Sequence, residues 1–274
     1  MADGYWRRLF ADLAFWPIQY ALGLYRVTVF NSPGLALQLT AYNLLGIKRR
    51  FDIRLYEFQV VIRSGTPDLV VAMESLGAEL EIITKGVESP AAGLIIDAGG
   101  YIGTSAMKLA TAFPNCKIIT IEPSSENLAI LRRNVAGHPN ISVVHAALAT
   151  NEAGAILRTA GSGEWGFTIL ASAESGPTGS EIERIPTTTI EQILAHEQQD
   201  RLFVLKLDVE GAELAILSEA KPWLSRTDIV VAELHEQLAP GVEVAFARAT
   251  LGRANRRLPG EKVLSLHPDV TCRL

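Results

Sequence analysis

Residues 94–122 read LIIDAGGYIGTSAMKLATAFPNCKIITIE, and the fold follows from how this stretch must lie. Leu94 to Ile96 form an apolar run without polar alternation, as a strand buried on both faces requires. Gly99, Gly100 and Gly103 permit a tight turn with close backbone approach, and Thr104 to Phe113 carries helical periodicity. A second strand-like run closes on Glu122, roughly 20 residues beyond the turn. In an open parallel α/β sheet, an acid at that place can accept hydrogen bonds from both ribose hydroxyls of an adenosine.

The turn is not the dinucleotide version. A GxGxxG loop lays backbone amides on a pyrophosphate, but Tyr101 stands where the second glycine would be. Asp97 puts a carboxylate at the strand end, where it would repel phosphate. It suits a ligand with an ammonium and a sulfonium but no phosphate, which describes S-adenosylmethionine. Two alternatives remain beside this reading: an NAD(P)-dependent oxidoreductase, against which the missing glycine counts, and a non-catalytic adenosine-binding assembly protein.

Outward from this stretch, strands and helices alternate. Helix Ser124 to Val135 is opened by a serine N-cap with Glu126 in its first turn, and strand Ile141 to Ala147 follows. LFVLKLDVEGAELAILSEA repeats the strand, turn and helix unit with its strand ending at Asp208, and DIVVAELHE gives a further strand. The alternation predicts a mostly parallel sheet with helices on both faces. KVLSL and VTCRL, separated by HisProAsp, predict a terminal antiparallel hairpin. Residues 154–179, rich in Gly, Ser and Ala, read as a long loop or short hairpin in which Trp165 and Phe167 could stack on an acceptor or anchor the loop. Before the core, RLYEFQVVIRSG predicts a strand or hairpin leading into a helix from Pro67 to Leu76. Three regions result: a helical N-terminal extension (1–50), a hairpin-and-helix prelude (51–90) and the ligand-binding domain (91–274).

Composition sets limits. The 274 residues are 48% hydrophobic and 20% charged, enough for one large α/β domain and a smaller extension. Cys116 and Cys272 are too few for a disulfide framework, and a reducing cytoplasm is the expected setting. A net charge of −5 argues against a general nucleic-acid binder, and Lys48–Arg50 and Arg253–Arg257 read as solvated loop or helix ends. No apolar stretch is long enough for a transmembrane span. Trp6, Leu9, Phe10, Leu13 and Ala14 share one helical face, and Leu35, Leu39, Tyr42 and Leu45 make a looser stripe. Burial against the main domain or in a homo-oligomer is expected of them, ahead of a lid or an interfacial membrane helix.

The segments IIDAGGYIG, TIEPSSENLAILRRN, HAAL, TTTIEQIL, LKLDVEGAE and VVAELHE occur in this order. Together, over about Arg54 to Glu236, they make the chain resemble the FkbM-type methyltransferases. The resemblance implies a class I (Rossmann-like) methyltransferase fold with a seven-stranded, mostly parallel sheet. It also implies methylation of a hydroxyl on a sugar, polyketide or similar metabolite. By similarity Asp97, Gly99 and Gly103 line the methionine end of the cofactor, Glu122 holds the ribose, the HAAL segment borders the adenine, and Asp208 lies near the sulfonium. With the neighbours Tyr101, Thr104, Pro123 and Ala146, these complete the expected cofactor set. The chain departs from the family pattern at Tyr101 and at Glu191.

Methyl transfer to an alcohol needs a proton acceptor. His235, at a strand end, is the first candidate, with Glu210 next and Asp208 placed to hold the imidazole in one tautomer. Glu213 reads as a helix-start acid. Asp208, Glu233 and His235 could offer ligands to a divalent metal, though their spacing is only permissive and no metal site is expected. His145 reads as structural or adenine-adjacent, and His138, His196 and His267 as surface residues.

Overall fold

The computed structural model describes residues 17–159, 167–168 and 181–272. Trp6, Leu9, Phe10, Leu13, Ala14 and Trp165 lie outside the described residues. The chain divides into two compact units, residues 1–80 and 81–274.

In the first unit, α1 (residues 17–30) and α2 (Pro33–Leu44) precede a hairpin of β1 (Arg50–Leu55) and β2 (Phe58–Arg63) and then α3 (Asp68–Leu76). Ser32 caps α2 by accepting from Leu35 N, and Pro33 supplies a preset φ at the first helical position. The hairpin buries Phe51, Ile53 and Leu55 from one strand and Phe58, Val60 and Ile62 from the other. Of the stripe expected on α2, Leu39 is buried, but Leu45 is exposed because the inward face runs through Ala36 and Leu39. Asp68, wholly buried, accepts from Arg63 N (2.8 Å), Nε (2.9 Å) and Nη2 (2.9 Å), locking the end of β2 to the start of α3.

The second unit runs through α4 (Glu81–Gly86), β3 (Gly93–Ala98), α5 (Thr104–Ala112), β4 (Cys116–Ile121), α6 (Ser125–Asn134), β5 (Ile141–Val144) and β6 (Ala147–Leu148). It continues with β7 (Ala155–Thr159), β8 (Phe167–Thr168), β9 (Glu181–Ile185), β10 (Thr187–Thr188), α7 (Ile190–His196), β11 (Leu202–Leu207), α8 (Glu213–Ser218) and α9 (Lys221–Leu224). β12 (Thr227–Glu233), α10 (Val242–Ala249), β13 (Ala254–Arg257) and β14 (Lys262–Leu266) complete it. Seven strands form the main sheet in the order β13-β14-β12-β11-β3-β4-β5, parallel except where β14 meets β12 and β13. β3 and β11 are buried almost throughout, as their unbroken apolar runs require. From β3 the chain steps outward to β4 and β5; from β11 it steps the opposite way to β12. Right-handed crossovers in opposite directions put the connecting helices on opposite faces, and β3 and β11 meet at the reversal.

Two local expectations change. The terminal hairpin joins β13 to β14 through a turn containing Pro259 and Gly260, rather than KVLSL to VTCRL. All four residues of β13, ANRR, are exposed at the sheet edge, so no apolar alternation announces the strand. The region read as a long loop or short hairpin from 154 to 179 contributes the antiparallel pair β7 and β8, which with β9 makes a three-stranded sheet. The strand expected from Ile141 to Ala147 breaks after Val144, and Ala147 and Leu148 pair instead with Thr187 and Thr188.

Asp68→Ala would leave the Arg63 guanidinium buried without its carboxylate. A loss of about 3–5 kcal/mol is expected, measured as a lowered midpoint in urea unfolding.

Candidate active site

At the sheet reversal, the pairing of β3 with β11 sets Lys206 opposite Asp97. The Lys206 ammonium, almost wholly buried, lies 3.5 Å from Asp97 Oδ1, 3.2 Å from Asp208 Oδ2 and 3.4 Å from the Gly99 carbonyl. One buried cation thus serves two strand-end carboxylates. Burial raises the Asp97 pKa, against the pull of Lys206 and the Thr120 hydroxyl, which donates to Oδ2 at 2.9 Å. At Asp208 burial also acts upward, but Lys206, His235 and Lys262 outweigh it and hold that carboxyl below its usual range.

The glycine turn hangs on β4: Gly99 and Gly100 both donate to the Ile121 carbonyl, at 3.1 and 2.9 Å. Gly99 has φ +84, and a Cβ there would meet the Asp208 carbonyl oxygen at 1.7 Å, so no other residue fits. Tyr101, at φ +47, takes the left-handed conformation without being glycine. Its N–H donates to Glu122 Oε2 (2.8 Å), while Oε1 accepts from Ser124 N (2.9 Å) and Asn127 Nδ2 (3.2 Å). Glu122 therefore ties the turn to the start of α6. Burial pushes its carboxyl up to about 7 against these three donors. Three of its roughly four acceptor positions are filled by the protein, which leaves room for one ligand hydroxyl rather than two. Gly103 caps α5 at φ +85, and Thr104, buried, opens that helix. Pro123 offers its carbonyl to His145 Nε2 at 3.0 Å, and Ala146 is buried beside it in sequence.

A second constellation surrounds the end of β12. His235 Nδ1 lies 2.8 Å from Glu213 Oε1, and its Nε2 faces Glu210 Oε2 at 3.6 Å and Asp208 Oδ1 at 3.9 Å. Glu213, fully buried, also accepts from Val209 N (2.9 Å) and Gly211 N (2.7 Å), so one carboxylate shapes the DVEG turn and orients the imidazole. The acid nearest the His235 ring is thus Glu213, ahead of Asp208. Burial alone would lower the His235 pKa, but the Glu213 hydrogen bond and charge, with Glu210 and Asp208 beyond, raise it to about 10. Glu210 is pushed to about 8, by burial first and by Asp208, Glu213 and Glu233, despite the nearby imidazolium. Its φ of +52 holds a non-glycine residue in the left-handed region.

Among the described residues, Asp208, Glu233 and His235 could hold a metal, with one ligand atom from each lying within 4.8 Å of the others. Lysines already answer two of them: Lys206 pairs with Asp208, and Lys262 with Glu233 at 3.2 Å.

The structure brings Asp97, Gly99, Lys206 and Asp208 together, and Asp208, Glu210 and His235 beside them. Sequence reasoning passed over Lys206 and assigned Glu213 only a helix start. Both had a signal: Lys206 is a lone cation in an apolar strand two residues before Asp208, on the same face of that strand, and two acids stand in the turn that follows.

Lys206→Met would leave Asp97 and Asp208 facing each other without a counter-charge. An Asp97 whose folded pKa is raised further stabilises the fold below its unfolded pKa and ceases to as pH rises through the folded value. The variant should therefore lose more stability at about pH 7 than at about pH 4, a difference read from thermal melts across that range.

The chain has matches among solved structures at low identity. A precorrin-6y C5,15-methyltransferase from Geobacter metallireducens is 12% identical with a TM-score of 0.42, covering 81% of this chain and 96% of that one. An rRNA methylase from Streptococcus thermophilus is 9% identical with a TM-score of 0.39, covering 72% and 95%. The fibrillarin pre-rRNA processing protein of Methanococcus jannaschii is 11% identical with a TM-score of 0.40, covering 82% and 83%. No curated protein sequence matches the chain significantly. The family model of the methyltransferase FkbM domain matches residues 97–258, more than half of the chain and the whole span from Asp97 through His235. With its seven-stranded sheet and a glycine turn at the sheet reversal, the chain belongs to the FkbM methyltransferase domain family.

Proposed function

We propose that the protein is an S-adenosylmethionine-dependent O-methyltransferase acting on a hydroxyl of a sugar, polyketide or related metabolite. The observation that carries this reading is the pair of features at one sheet edge: the glycine turn with Asp97 and Glu122, and beside it the cluster of Asp208, Glu210, Glu213 and His235. Family membership sets the oxidoreductase aside, and a net charge of −5 favours a small or glycan acceptor over nucleic acid.

The residues fit the cofactor. Asp97 Oδ1 is buried, and beyond the long contact with the Lys206 ammonium at 3.5 Å it has no hydrogen bond, so a ligand ammonium would supply a closer donor. Glu122 keeps an acceptor position for a ribose hydroxyl, with Gly99, Tyr101, Gly103 and Thr104 around the turn and Pro123 and Ala146 on the adenine side. When bound, S-adenosylmethionine supplies a methyl group already activated on a sulfonium. The chain then has to hold the acceptor oxygen in line and take its proton, and positioning alone is worth up to about 7–11 kcal/mol.

An imidazole held as a cation at neutral pH is not a base. The geometry supports Glu210 as the proton acceptor, with the His235 cation lowering its pKa and Glu213 orienting that cation. This reverses the order expected from sequence. No metal is called on, since the lysines already neutralise Asp208 and Glu233.

Two measurements test this. Turnover should rise with pH through about 8 as Glu210 ionises, and Glu210→Gln should lose that rise with a fall in turnover of about 100-fold or more. His235→Ala should move the rise to higher pH, because Glu210 loses its cation; a rise abolished in His235→Ala and kept in Glu210→Gln would return the base to His235. For the cofactor, calorimetry of S-adenosylhomocysteine with Glu122→Gln should show about tenfold weaker binding or more. In the unmodified protein that affinity should grow as pH rises through about 7, since the carboxylate is the better acceptor. Unchanged affinity in a folded variant would remove the ribose assignment.

A further inference from the structure

Away from the strand-end acids, Ser125, His145 and Glu183 meet beside the end of β5. The Ser125 hydroxyl donates to the Glu183 carboxylate, lying 2.7 Å from Oε1 and 2.8 Å from Oε2. His145 Nε2 lies 3.0 Å from the Pro123 carbonyl, 3.5 Å from Ser125 Oγ and 3.9 Å from Glu183 Oε1. A carbonyl only accepts, so Nε2 carries the proton and donates to Pro123. The residue types are those of a hydrolytic triad, but the wiring is not: the serine proton goes to the carboxylate, and the imidazole nitrogen near it is already protonated. No nucleophile is activated here, and the cluster has to be explained as a binding element.

Glu183 comes from β9, in the small antiparallel sheet, 58 residues beyond Ser125. The Ala147 amide donates to the Pro186 carbonyl at 2.9 Å, and Ala147 and Leu148 pair with Thr187 and Thr188. The chain that leaves β5 is thereby zipped to the chain that leaves β9, which carries Glu183 to His145. The Glu183 side chain stays 33% exposed. One hydroxyl takes one of its roughly four acceptor positions, and the others stay open among the described residues. The N–H of Ala146, next to His145 in the chain, donates to no carbonyl among the described residues. A carboxylate with spare acceptor positions and an unspent backbone donor therefore flank His145.

Sheet order gives the ligand group that belongs there, on the cofactor proposed above. With the methionine end at Asp97 and the ribose at Glu122, at the ends of β3 and β4, the base runs on to the end of the next strand, β5. The edge of adenine presents an amino donor at C6 and an acceptor at N1. These complement a carboxylate and a backbone N–H. Hypoxanthine, with a carbonyl at C6 and an N–H at N1, reverses both. We propose that Glu183, reaching in from the small sheet, accepts from the 6-amino group of the bound nucleoside and so selects adenine. Ser125 holds the carboxylate in place, and the Ala146 N–H donates to N1.

Calorimetry of the full chain with S-adenosylhomocysteine and with S-inosylhomocysteine, its 6-oxo counterpart, tests this. The unmodified protein should bind the adenine compound about 100-fold more tightly or better. In Glu183→Gln the amide can turn to offer a donor to the 6-oxo group, so the preference should shrink by at least about tenfold. Ser125→Ala keeps the carboxylate and removes its holder, and should shrink the preference less. A purely structural tie between α6 and β9 would weaken both compounds alike and leave their ratio unchanged. Circular dichroism and melting check that each variant is folded, and Ser125→Ala carries the test if Glu183→Gln is not. No preference in the unmodified protein, or a ratio unchanged in the folded variants, overturns this inference and leaves the cofactor standing. Failure of the unmodified protein to bind either compound removes the proposed cofactor itself, and the inference with it.

Discussion

One buried ammonium holds the site together. β3 and β11 lie side by side in parallel, with Asp97 next to last in one and Asp208 directly after the other, so the register that forms the sheet also draws two carboxylates towards each other. Two such groups cannot both stay ionised at close range in a poorly solvated place without a counter-charge. Lys206 supplies it, and by reaching the Gly99 carbonyl it also links the charge balance to the turn. The same close approach fixes the residue type at 99, because Asp208 N donates to the Ala98 carbonyl and leaves no space for a side chain on the next residue.

From Lys206 the electrostatics pass along the carboxyl edge of the sheet. Asp208 stands between Lys206 and His235; His235 in turn faces Glu210 and is held by Glu213; Glu233 answers Lys262 across the β12–β14 pairing. Acids outnumber bases here, which is why the imidazole is held as a cation and one carboxyl, Glu210, is pushed towards neutrality. The strained backbone at Glu210 persists because Glu213 pins the residues on both sides of it through the Val209 and Gly211 amides. Titration of any one member reports on the group, so observed pKa values belong to the cluster.

The first unit solves a different problem. Its hairpin and α3 close a small core locked by the Arg63–Asp68 pair, yet the helices that precede it turn long apolar side chains outward.

The sequence by itself determined the parallel core. Unbroken apolar runs at 94–96 and 202–205, glycines after the first and acids at the ends of four strands leave few other arrangements. It also named most of the residues that gather at the carboxyl ends of these strands, because strand-end acids are local signals. It did not determine which acid partners which base. That depends on register between strands more than a hundred residues apart, which sets Lys206 opposite Asp97, and on the path of the DVEG turn, which brings Glu213 to His235 in place of Asp208. Nor could it show β13, whose four residues are all exposed and so carry no apolar periodicity, or which way α1 and α2 face. An amphipathic stripe says that one face differs from the other; only the packing of Val27 and Gly23 inward decides that the larger apolar face looks out.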